Sequence, residues 1–165
     1  MAKLTVLGIG NILMRDEGIG VRVLERVRDA RHWPGDVEFV DGGAGGLSLL
    51  NVIEAAERMV VFDAAEMGLA AGESRVITPA QLADDTAAGR VSLHDVPFVE
   101  TLQLCEQFSR RPDEITILAI QPKDLDYGRE LSDELAAVLD AVIATGVELV
   151  CRALGQPGQD GRAGP

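Results

Sequence analysis

Four short apolar runs set the frame of this chain: Leu4-Thr5-Val6-Leu7, Val37-Glu38-Phe39-Val40, Met59-Val60-Val61-Phe62 and Ile115-Thr116-Ile117-Leu118-Ala119-Ile120. The first and third read as buried strands, Val37-Glu38-Phe39-Val40 alternates like a strand, and the run at 115–120 reads as a further strand. Between them lie segments of helical period. From Gly18 the apolar positions fall at Ile19, Val23, Leu24, Val27 and Ala30, with Arg22, Glu25, Arg26 and Asp29 opposite. A short helix carries Leu47, Leu50 and Ile53, and Pro97 opens one bearing Phe98, Leu102, Cys105 and Phe108. Ser132 is a good N-cap for a long last helix, with Asp133 and Glu134 in its first turn. Ser74-Arg75-Val76-Ile77 reads as one further, shorter strand, while residues 79–97 read as irregular or briefly helical. Strands alternating with helices predict an α/β domain: a twisted, largely parallel five-stranded sheet with helices on both faces.

That domain is expected to span residues 1–155. Gln156 to Pro165 forms a Gly/Pro-rich tail expected to be disordered. At 165 residues the chain is long enough for one core, and it shows no internal repeat and no second domain. Its net charge of −12 is dispersed and its aromatic content is 4%, so nothing resembles a basic stripe for nucleic acid. No apolar stretch approaches a membrane span and no signal peptide is evident, which predicts a cytoplasmic protein. Cys105 and Cys151 both fall inside predicted helices and read as small core hydrophobes in a reducing compartment.

The first strand runs into "GIGNILMRDEGIG", residues 8–20. A glycine turn after a strand raises the possibility of a nucleotide. The dinucleotide fingerprint needs a third glycine for close helix–strand packing, and here Leu13 stands in its place. Asp16 and Glu17 put negative charge where a phosphate would land, and the Gly-Lys-Ser/Thr ending of a P-loop is missing. A nucleotide is therefore not expected.

In open parallel sheets the site lies beyond the carboxyl ends of the strands. Strand one delivers Glu17 to that rim, strand two delivers Asp41 and strand three delivers Asp63. Carboxylates with a neutral imidazole suit a first-row divalent ion. Of the two histidines, His32 lies at a helix end and suits the last helical carbonyls. His94, in "SLHDVP", lies in a loop able to reach the rim, and spacing alone leaves it open between ligand and ordinary loop residue. Asp16 is open in the same way, between a bond to the loop's own backbone and ligation, the former being favoured.

The blocks "GIGNILMRDEGIGVRV", "VEFVDGGAGG", "VFDAAEMG", "SLHDVPF" and "QPKDLDYGRELS" together resemble the hydrogenase maturation endopeptidases, in order, from Leu4 to about Leu154. "RHWPGDVE" and "DYGRELS" lean toward the branch serving membrane-bound uptake hydrogenases. The resemblance implies a nickel-dependent endopeptidase that removes the C-terminal extension of a nickel–iron hydrogenase large-subunit precursor once nickel is installed. By matching motifs, the family's nickel-sensing residues fall on Glu17, Asp63 and His94, the nickel being presented by the substrate. Asp41, Gly42 and Gly43 match a substrate-selecting Asp-Gly-Gly-Thr-x-Gly loop, in which Ala44 replaces the usual threonine. The alternative is a non-catalytic nickel chaperone or docking module for the same large subunit. No serine or cysteine has a base arranged beside it, so metal-assisted hydrolysis is favoured over a covalent nucleophile, with the general base unassigned.

Overall fold

A computed structural model describes residues 3–90, 97–108 and 110–156. Five strands form one sheet: β1 (Leu4–Gly8), β2 (Val37–Asp41), β3 (Arg58–Ala64), β4 (Ser74–Ile77) and β5 (Glu114–Ile120), in the spatial order β2-β1-β3-β5-β4. β1, β2, β3 and β5 run parallel, and β4 pairs antiparallel with β5 at one edge. The expected five-stranded, largely parallel sheet is present.

Among the described residues, five α-helices cover it: α1 (Ile19–Asp29), α2 (Leu50–Ala55), α3 (Pro79–Ala87), α4 (Pro97–Phe108) and α5 (Asp133–Ala153). Single 3-10 turns precede two of them, Arg15–Gly18 before α1 and Leu47–Leu49 before α2. The core divides between the sheet's two faces. On one, Val23, Leu24 and Val27 of α1 and Leu135, Val142 and Val150 of α5 pack on Leu4, Val6, Val60 and Phe62. On the other, Ile53, Leu82, Leu102 and Cys105 pack on Leu7, Met59, Val61 and Ile117. The alternating residues of β1, β3 and β5 reach both layers, which is why these strands read as near-continuous apolar runs, while the edge strands β2 and β4 are more exposed.

Local signals fix the helix ends. Ser132 caps α5 by accepting the Leu135 N–H at 3.4 Å. Thr78 and Gln81 form a reciprocal capping box for α3, where the sequence left the structure open. At the end of α1 the carbonyl of Val27 is bonded by the Trp33 ring N–H at 3.0 Å, the role expected of His32, which is exposed. Cys105 and Cys151 are both buried. No helix among the described residues is long and apolar enough to cross a membrane. The tail from residue 157 onward lies outside the described residues.

The strand order places a topological switch beside β1. The chain leaves β1 toward β2 on one side, then returns across it to β3 on the other. The loops following β1 and β3 therefore diverge at their carboxyl ends and leave a crevice between them.

Candidate active site at the carboxyl ends of the strands

Gly10 opens that crevice with a φ of 146°, and a Cβ placed there would lie 1.9 Å from the carbonyl oxygen of Glu17. The glycine turn thus receives the chain's own 3-10 turn rather than a phosphate. Close helix–strand approach is served further along, at Gly20, whose Cβ would lie 2.3 Å from the carbonyls of Ile9 and Phe62. Leu13 is therefore no obstacle to the packing that a third fingerprint glycine would provide.

The turn presents Glu17, half-buried, to a cleft of about 190 Å³ whose walls also include Ile9, Ala44, Asp63, Glu66, Pro122 and Leu125. Asp63 comes from the end of β3, one residue beyond Phe62, which pairs in register with Gly8. Only 3% of Asp63 is exposed, and its Oδ2 has no hydrogen-bond partner. Burial pushes the Asp63 carboxyl well above the usual carboxylate range; a bond from the Ala64 N–H offsets part of this, and the charge of Glu17 adds to it. A buried oxygen without a donor is costly, and it is the kind of atom a bound cation satisfies. Glu17 and Asp63 share the cleft as expected from the sequence.

The other expected residues are placed differently. Asp41 is exposed, and its Oδ1 accepts the N–H of Gly43 at 2.8 Å, closing its own turn. Gly42 donates to the Gly8 carbonyl, and the Gly43 carbonyl accepts from Gly10, so this loop is laced to the first by backbone. Ala44 is the residue of the loop that lines the cleft. His94 lies outside the described residues. Among the described residues, no three His, Cys, Asp or Glu side chains converge closely enough to hold an ion.

Asp16 is no ligand. Its Oδ2 accepts the backbone N–H groups of Lys123 and Asp124, both at 2.9 Å, and its Oδ1 that of Ser132 at 2.8 Å. Burial pushes this carboxyl up, but the three backbone donors outweigh it and hold it below the ordinary value. The expectation of backbone bonding holds in kind, but the partners belong to the segment after β5 instead of its own loop. Arg15 beside it adopts a left-handed φ of 45°, a strained setting for a side-chain-bearing residue. Directly after it Asp16 is fully buried and Glu17 lines the cleft.

Two residues at the cleft were not singled out from the sequence. Glu66 lines the cleft, and its Oε2 accepts from the Nε2 of Gln121 at 3.0 Å. Gln121, buried just after β5, also accepts the Met67 and Leu69 N–H groups on its Oε1, at 2.7 and 3.2 Å. One amide thus shapes the loop after β3 and directs Glu66. Only the acidic residue in "DAAEMG" could have hinted at it.

A doubly wound sheet with a carboxylate cleft at its switch point defines an α/β protein whose glycine turn packs against its own 3-10 turn. The same fold occurs in the hydrogenase maturating endopeptidase HybD of Escherichia coli, at a TM-score of 0.75 and 26% identity over 93% of this chain and 94% of that one. Residues 21–149 match the hydrogenase maturation protease family. The hydrogenase expression/formation protein HupD of Bradyrhizobium diazoefficiens is 37% identical over 94% of this chain and 80% of its own. HoxM of Cupriavidus necator is 35% identical over 92% and 75%, and the hydrogenase 2 maturation protease of Escherichia coli 28% identical over 94% and 93%. The chain belongs to the hydrogenase maturation protease family. It is a peptidase.

Proposed function

We propose that this enzyme removes the C-terminal extension of a nickel–iron hydrogenase large-subunit precursor after nickel insertion, its substrate belonging to the uptake branch. In this reading the nickel arrives with the precursor and is met by Glu17, Asp63 and His94. The observation that carries it is the buried, unpartnered Oδ2 of Asp63 in the cleft beside Glu17. A site offering carboxylates and one imidazole, with no thiolate, holds a free ion weakly, so the ion stays with the precursor and serves as the mark of a loaded one.

Bound there, the ion would polarise a carbonyl and acidify a water. The chain's own residues do the rest. Asp63 and Glu17 would offer carboxylate oxygens to the ion, whose charge would favour the ionised form of Asp63 that burial disfavours, and the Ala64 N–H bonds the Asp63 carboxylate. Glu66, oriented by Gln121, offers a solvent-exposed carboxylate to take a proton at the mouth of the cleft. The Asp41–Gly43 turn, with Ala44 at the wall, contributes to choosing the substrate through its backbone. The proposal carries with it a cytoplasmic site of action, in keeping with two buried thiols.

The test is the intact mass of a nickel-loaded precursor before and after mixing with the enzyme, beside a nickel-free control. Loss of a C-terminal peptide from the loaded sample alone is the expected result. Equal cleavage of both samples would remove the nickel checkpoint. An unchanged mass despite demonstrable binding would make the chain a docking module for its substrate.

A further inference from the structure

Large apolar side chains in solvent are seldom gathered on one rim without a partner. Here Ile12, Leu13, Leu125 and Tyr127 are between 43 and 86% exposed. They come from two segments far apart in sequence that the backbone brings side by side. The Gly128 N–H bonds the Leu13 carbonyl at 2.8 Å, and the Arg15 N–H bonds the Gly128 carbonyl at 3.0 Å. Met14 and Gly128 form a parallel bridge. Leu125 is also a wall of the cleft. The patch therefore continues directly from the site where the peptide bond must lie.

This rim is also stiff. Asp16 holds the N–H groups of Lys123 and Asp124, Arg15 pairs with Asp124 at 3.1 Å, and the Asp126 N–H closes on Asp124 Oδ1 at 2.9 Å. A surface already held in one shape loses little entropy when it binds. Its surroundings are mixed in sign, Asp124, Asp126 and Glu130 standing beside Arg15, Lys123 and Arg129, so the recognition it offers is apolar.

We propose that Ile12, Leu13, Leu125 and Tyr127 form the docking surface for an apolar segment of the precursor polypeptide adjoining the bond that is cut. The inference rests on the proposed function for the identity of the precursor. A polypeptide lying in the cleft in extended form advances about 3.3 Å per residue, so its next few residues pass over this rim. A second copy of the chain covering the same patch would bury Leu125 and close the cleft, whereas a substrate segment occupies both together.

The test combines Ile12→Ser, Leu13→Ser and Tyr127→Ser, leaving the cleft wall Leu125 intact. Cleavage of the nickel-loaded precursor is followed by intact mass across a range of precursor concentrations, and precursor binding is measured separately by calorimetry. The triple variant is expected to raise KM and weaken binding by about tenfold or more, with kcat within about twofold and an unchanged melting temperature. Tyr127→Phe should restore most of the loss at that position. Should the triple variant melt early, Tyr127→Ser alone, at the most exposed position, carries the same test. Unchanged KM and binding beside an active wild type would overturn the docking surface and leave the peptidase reading intact. Sedimentation showing a wild-type dimer that the triple variant dissolves would assign the rim to a second copy instead. A wild type that neither binds nor cuts the precursor would overturn both readings.

Discussion

Asp16 Oδ1 accepts the backbone N–H of Ser132, which is 116 residues further along the chain, at 2.8 Å. The bond joins the loop after β1 to the N-cap of α5, and the same carboxylate holds the Lys123 and Asp124 N–H groups. Because all three partners are donors, an amide cannot replace the acid. Asp16→Asn would turn an NH2 group against at least one N–H, and charge-assisted bonds are the stronger kind. A loss of about 3 kcal/mol is expected, or roughly 6–12 °C in Tm for a chain of this size. Thermal melting decides it: a shift of only a degree or two would mean the clamp contributes little.

The tight approach at Gly20 makes a second prediction. With carbonyl oxygens of Ile9 and Phe62 only 2.3 Å from any Cβ there, Gly20→Ala must separate α1 from the sheet. A cost of about 3 kcal/mol or more is expected, since backbone cannot rotate away as a side chain can. Gly35→Ala, with nothing within 4 Å, is the matched control and should be near neutral. Urea unfolding of the two variants compares them directly; equal midpoints would refute the close approach.

Function and stability should separate at Asp63. Its orphaned Oδ2 contributes nothing to the fold that a neutral group would not supply at lower desolvation cost. Asp63→Asn is therefore expected to leave Tm unchanged or raise it, while precursor cleavage falls by about 100-fold or more. Glu17→Gln should follow it in activity. A marked drop in stability for Asp63→Asn would instead identify the carboxylate as structural.

The pH dependence of stability has a defined contributor at Asp85 of α3. Hydrogen bonds from Arg90, at 3.0 and 2.7 Å, hold its carboxyl below the ordinary value, with Arg75 of β4 at 3.4 Å assisting and partial burial opposing. A depressed carboxyl stabilises the folded chain above its unfolded pKa, and that contribution disappears as pH falls through the folded value. The Tm difference between the native chain and Asp85→Asn should thus be constant above about pH 5 and shrink progressively below about pH 4. A difference independent of pH would show that packing, not ionisation, is lost.

Much of the fold was legible because its determinants are local. The runs at 4–7, 59–62 and 115–120 became central parallel strands, since a strand covered on both faces needs no polar alternation, and the alternating run at 37–40 became the half-buried edge strand β2. The Ser132 cap and the apolar face through Leu135, Val142 and Val150 marked α5 for the same reason. The rim was legible as well. Asp63 lies at the carboxyl end of β3 and Glu17 in the loop that leaves β1, so chain connectivity delivers both to one end of the sheet.

The sequence by itself therefore determined a parallel sheet, its helical layers and the end of it at which acids gather. Which acid faces the cleft was decided only by the tertiary structure. Asp41 turned back onto Gly43, Asp16 was drawn into the segment after β5, and Gln121 carried Glu66 into a cleft no spacing had assigned to it. Side-chain direction at a loop depends on backbone angles such as the left-handed turn at Arg15, and on bonds spanning as many as 116 residues. Neither leaves a periodic trace, because hydrogen-bond donors become neighbours only after the sheet has folded.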